Sequence, residues 1–111
     1  MVWNTPQGIE TASDTAFTIC GYQLGQNQPN PFRNQTKISG QMPASGPVRI
    51  TVYNCAGQVV RNLSYGLKQS GEFSILWDGR DDAGKTVASG IYFYSFQTPT
   101  RQLFRQLIKI D

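Results

Sequence analysis

The side chains with most to offer chemically sit in one short run, Trp77-Asp78-Gly79-Arg80-Asp81-Asp82, where three carboxylates crowd together. Clustered carboxylates are what a hard cation such as calcium prefers, so Asp78, Asp81 and Asp82 are weak candidates for a metal site. They lack the full EF-hand spacing. Asp and Gly are also the ordinary residues of turns, where the carboxylate accepts hydrogen bonds from nearby backbone amides, and the turn is the favoured reading. Cys20 and Cys55 either form a disulfide, worth about 2 to 4 kcal/mol through closure of the intervening loop, or stay as two free thiols. Trp77 follows both, so they do not bracket a tryptophan as the cysteines of immunoglobulin domains do. The chain has no histidine. That removes the residue behind most triads, general bases and zinc sites, and leaves a cysteine nucleophile with nothing to activate it. With the carboxylates gathered in one turn, no acid–base pair is visible. The sequence predicts no enzyme, no catalytic residue and no cofactor.

Binding surfaces are the remaining option. Arg101, Arg105 and Lys109 share strand parity with Leu103 and Leu107, so one face of the last segment mixes charge with apolar bulk. Taken alone, that face is a solvated edge whose basic residues discourage edge-to-edge pairing. Trp3 and Tyr65 could offer a stacking platform to a polysaccharide, although scattered surface aromatics are normal. Ten Lys and Arg against seven Asp and Glu leave a net charge of +3 with no basic stripe, which argues against nucleic acid as a partner.

These residues need a scaffold, and 111 residues suffice for one core. Eleven glycines, six prolines and an aromatic content of 12% favour short strands punctuated by turns. Residues 1 to 21 are polar and weakly patterned, with only the stretch from Ala16 to Cys20 resembling a strand, and read as a linker or the end of a preceding domain. From Tyr22 the texture changes to an extended, proline-rich lead-in through Pro29, Asn30, Pro31 and Phe32. Six alternating segments follow. Ile38 and Met42 share parity, as do Val48, Ile50 and Val52, and then Phe73, Ile75 and Trp77. Ala56-Gly57 predicts a hairpin turn, and Ile91 to Phe96 predicts a central, largely buried strand. Gln102 to Ile110 would also line one face of a helix but reads better as a strand after the Pro99-Thr100 turn. The spacing predicts an all-β, immunoglobulin-like (fibronectin type III-like) antiparallel sandwich of about seven strands.

The ordered set of Gln26-Asn27-Gln28-Pro29-Asn30-Pro31-Phe32, Thr36 and Ile38, Val52-Tyr53-Asn54-Cys55-Ala56-Gly57, Trp77-Asp78-Gly79-Arg80-Asp81 and Val87-Ala88-Ser89-Gly90-Ile91-Tyr92-Phe93-Tyr94 resembles the C-terminal sorting domain of type IX secretion substrates. It is similar also to the immunoglobulin-like domain of the flagellar hook-capping protein. The resemblance covers residues 22 to 111. It implies a seven-stranded sandwich at the end of a large secreted protein of the Bacteroidetes and related phyla, read by the outer-membrane secretion machinery after passage through the periplasm, with the cargo domain upstream in the same polypeptide. The cargo would end secreted or on the cell surface. Pro29, Asn30, Pro31, Phe32, Arg101, Arg105 and Lys109 are then the expected recognition residues. The chain departs from the family pattern at Asn54, where Asp is common, and at Asp111, where a basic residue is common.

Overall fold

Alternation of apolar and polar residues builds strands with one buried face, and most of the sandwich follows from it. In the computed structural model, residues 16–19 and 21–111 are described. The strands are β1 (Ala16–Ile19), β2 (Tyr22–Gly25), β3 (Thr36–Met42), β4 (Gly46–Tyr53), β5 (Val59–Lys68), β6 (Gly71–Trp77), β7 (Gly90–Gln97) and β8 (Gln102–Lys109). They form two antiparallel sheets, ordered β1-β2-β3-β6 and β5-β4-β7-β8. This is the all-β sandwich the spacing predicts, with seven strands from residue 22 onward. β1 lies ahead of the boundary drawn at that residue and pairs with β2 across it.

The core is the sum of the alternating faces. Leu24, Ile38, Met42, Val48, Ile50, Val52, Trp77, Tyr94, Phe96, Leu103 and Leu107 are buried between the sheets, and each large apolar side chain so buried contributes about 1.5 to 3 kcal/mol. Phe73 and Ile75 pack against this core from β6 while staying partly exposed. β7 lies between β4 and β8, the central place expected of the most aromatic segment. Gln102–Lys109 is a strand, paired along its length with β7.

Three local features set the shape. Asn54 builds the β4–β5 turn, its side-chain oxygen accepting from the amides of Ala56 and Gln58 at 2.9 Å, while Gly57 supplies the left-handed φ of 82°. A register shift after Ile50 leaves Leu63 without a partner on β4, and the bulge lets it pack on the core. Gly40 on β3 faces Phe73, and a Cβ there would lie 2.5 Å from both the Phe73 ring and the Gln23 carbonyl oxygen. Only glycine leaves room for the ring to lie across the strand.

Candidate functional site

The outer edge of β8 is where the proline-rich lead-in meets the last strand. β8 ends its sheet, pairing with β7 on one side only, and an open edge of this kind invites a foreign strand. The lead-in from Gln26 to Arg33 covers it. Gln26 Nε2 donates to the Gln106 carbonyl at 2.8 Å, the Ile108 amide donates to Asn30 Oδ1 at 2.9 Å, and Phe32 exchanges backbone bonds with Ile108 and Ile110 at 3.0 and 2.8 Å. Arg33 Nη1 donates to the Asp111 backbone oxygen. Between these anchors stand Pro29 and Pro31, both preceded by cis peptide bonds. Neither has an amide hydrogen, so the outer side of the lead-in offers little for a further strand to pair with.

A buried polar knot holds the other end of the lead-in. Asn27 and Thr36 are both almost fully buried. Asn27 Nδ2 donates to Thr36 Oγ1 at 2.9 Å, the Thr36 hydroxyl donates to the Pro29 carbonyl at 2.9 Å, and Gln28 and Lys37 exchange backbone bonds. Burying amide and hydroxyl groups is tolerable here because they satisfy one another.

The expected recognition residues divide by position. Pro29, Asn30 and Pro31 are exposed. Phe32 is 1% exposed and its ring lies 5.5 Å from that of Trp77, so it belongs to the core and meets β8 through its backbone. The solvated basic edge is corrected as well: the odd positions of β8 face inward, because the same parity carries Leu103 and Leu107 into the core. Arg105 is half-buried, and it donates from Nε to the Leu24 carbonyl at 2.9 Å and from Nη1 to Gln26 Oε1 at 3.2 Å, tying the two sheets together. Lys109 is 4% exposed, its stem lies against Gly79, and its ammonium is 3.9 Å from the Asp111 carboxylate. Arg101 is exposed in the β7–β8 turn, where its amide donates to Thr98 Oγ1 at 3.0 Å. The outward side chains of β8 are instead Gln102, Phe104 and Gln106, which are exposed, and Ile108, which is half-buried. Gln26, Arg33 and Gln106 were missed from the sequence. The alternation set by Leu103 and Leu107 turns the Gln106 side chain outward, but its bond to Gln26 runs through the backbone carbonyl and carries no such signal.

The acidic run is a structured turn. Asp78 Oδ1 accepts from the Arg80 amide and from Arg61 Nη1, both at 3.1 Å. Asp81 Oδ1 accepts from the amides of Ala83 and Lys85 at 3.0 and 2.9 Å. Asp82 accepts from the Asn62 backbone and side chain at 3.0 and 3.2 Å, and Trp77 Nε1 donates to the Arg80 carbonyl at 2.9 Å. The carboxylates are taken up by backbone amides, by Asn62 and by Arg61, which pairs with both Asp78 and Asp82 at 3.1 and 3.8 Å, and no group of three metal-ligating side chains is found among the described residues. Cys55 is an exposed free thiol 3.1 Å from the Ile91 carbonyl. Cys20 and Trp3 lie outside the described residues. Tyr65 is 74% exposed, with the Arg49 guanidinium 4.6 Å from its ring centre.

Residues 26–101 match the family profile described as the FlgD Ig-like domain. The chain belongs to that family. FlgD of P. aeruginosa is 30% identical over 68% of the chain, with a TM-score of 0.55. Two proteins of Porphyromonas gingivalis share the fold: PorU, solved as a latent dimer, at 19% identity over 80% of the chain with a TM-score of 0.63, and PorZ, described as an essential surface component of the type IX secretion system, at 18% over 78% with a TM-score of 0.55. The chain spans 59% of that FlgD chain, 9% of PorU and 11% of PorZ. No curated protein is similar enough in sequence to match it.

Proposed function

We propose that this immunoglobulin-like domain is a non-catalytic sorting and anchoring module of a larger secreted bacterial protein, carried at that protein's C-terminus and recognised by the outer-membrane translocon of a type IX secretion system. The observation that carries the reading is the composite edge. The proline-rich lead-in and the last strand, which carry most of the expected recognition residues, are joined by bonds at Gln106, Ile108 and Ile110 into one continuous surface. A translocon reading that surface would recognise only a folded domain, since the two halves are some 78 residues apart in sequence. The kinship in fold with PorZ supports the same setting. The cargo would pass through the periplasm and finish at the cell surface or in the medium.

The test is a fusion of the whole chain to a reporter carrying its own secretory signal, in a bacterium with a type IX system and in the same strain lacking the translocon. The reading predicts surface reporter only in the first strain; a reporter held in the periplasm of both would contradict it. A second reading, an assembly domain like that of the flagellar hook cap, is favoured by the match to FlgD at 30% identity. It predicts periplasmic retention together with specific binding to a flagellar subunit.

A further inference from the structure

One row of side chains crosses the whole outer face of the second sheet and is used by nothing described above. Register places Tyr65 of β5 opposite Arg49 of β4, Arg49 opposite Gln97 of β7, and Gln97 opposite Gln102 of β8. All four are exposed. Strands lie about 4.8 Å apart, so the row runs roughly 14 Å across the sheet. Pro47 and Pro99 help to wall a shallow depression of about 310 Å³ around Arg49, Tyr65 and Gln97. None of the four strands of this sheet contains Asp or Glu, whereas the described acids stand on β6, in the loop after it, or at Asp111.

We propose that this row binds an acidic polysaccharide, one whose pyranose rings bear carboxylates. Each member has a distinct task. The Tyr65 ring offers a flat apolar surface to the carbon–hydrogen face of a sugar, as an exposed aromatic body can. The Arg49 guanidinium presents a planar fork of donors that matches a carboxylate in bidentate fashion. Its place over the Tyr65 ring at 4.6 Å orders it before binding, which lowers the entropy lost when the ligand arrives. The amides of Gln97 and Gln102 both donate and accept, as sugar hydroxyls require. A neutral glycan would leave the guanidinium without its partner, whereas an anionic chain meets no repulsion on a sheet face whose strands contain no acids. The proposal stands on these contacts and is independent of the sorting reading.

The test is a nuclear magnetic resonance titration of the full chain with trigalacturonate, with maltotriose as the uncharged probe. Binding is expected to shift the signals of Tyr65, Arg49, Gln97 and Gln102 with trigalacturonate and not with maltotriose. Tyr65→Ala and Arg49→Gln should each weaken it at least tenfold. Lys37→Gln, which removes the same charge from the other sheet, should leave it unchanged. Absence of any shift, equal shifts with maltotriose, equal weakening by Lys37→Gln, or undiminished binding by Tyr65→Ala and Arg49→Gln would each overturn it. Both key side chains are exposed, so unchanged amide spectra elsewhere will verify that the variants fold.

Discussion

Asn30 and Ile108, 78 positions apart, are joined by a 2.9 Å bond from the Ile108 amide to Asn30 Oδ1. Through it the lead-in holds the outer edge of the last strand beside the paired backbone groups of Phe32, Ile108 and Ile110. Replacing Asn30 by Ala removes the acceptor and is expected to cost about 0.5 to 1.5 kcal/mol. Urea denaturation measures that loss, and hydrogen exchange should show faster exchange at Ile108 with the β4–β7 ladder still protected.

Gly40 lies beneath the Phe73 ring, and an added carbon there would come within 2.5 Å of the ring and of the Gln23 carbonyl oxygen. Gly40→Ala should destabilise the domain by about 1 to 3 kcal/mol through overpacking, because the neighbour on one side is backbone and cannot give way. Gly46→Ala, where nothing lies within 4 Å of the added carbon, should change stability far less. Thermal unfolding of the two variants checks the contrast.

The turn after Trp77 is predicted to owe its stability to amide donors and not to a cation. Asp81→Ala strips acceptors from the amides of Ala83 and Lys85 and should cost about 1 to 2 kcal/mol, as loss of a capping carboxylate does. Millimolar calcium should leave the melting temperature of the native chain unchanged. A calcium-dependent rise that Asp81→Ala abolishes would establish a metal site.

Burial pushes the Tyr94 phenol well above its ordinary value, and its hydroxyl donates to the Gly25 carbonyl at 2.6 Å. Burial, followed by the nearby Cys55 thiolate, raises Tyr92 too. A raised phenol keeps its proton in the fold after the unfolded chain has lost it, so the native state binds more protons above pH about 10 and stability falls there as pH rises. Below that pH the contribution is fully present. Tyr94→Phe should flatten part of the alkaline decline while losing about 1 kcal/mol at neutral pH from the missing hydrogen bond. Denaturation midpoints between pH 7 and 11 measure both effects.

Most of the sandwich was legible because period-two alternation carries its own physical cause. Ile38 and Met42, then Val48, Ile50 and Val52, each name a buried face directly. The same rule, followed through β8, would have turned Arg105 and Lys109 inward. Their charge argued for solvent, but Arg105 reaches the Leu24 carbonyl and Lys109 lays its stem against Gly79, so long basic side chains can occupy inward positions while their heads find partners. The pairing of the lead-in with β8 had no signal of its own, since a bond between positions so far apart leaves no local pattern. Nor did the buried Ser95 hydroxyl, which has no partner among the described residues. Its replacement by Ala is expected to be close to neutral, for it removes an unsatisfied group.

The composite edge as the recognised surface is tested most directly by charge reversal on it. In a type IX host, the full chain fused to a signal-bearing reporter would carry Arg33→Glu, an exposed change at the Arg33–Asp111 contact. A parallel fusion would carry Lys68→Glu on β5, the opposite edge of the same sheet. With both variants folded by circular dichroism, the account predicts that protease-accessible reporter on intact cells falls at least tenfold for Arg33→Glu and stays near the native level for Lys68→Glu. Equal surface delivery of both variants would contradict it.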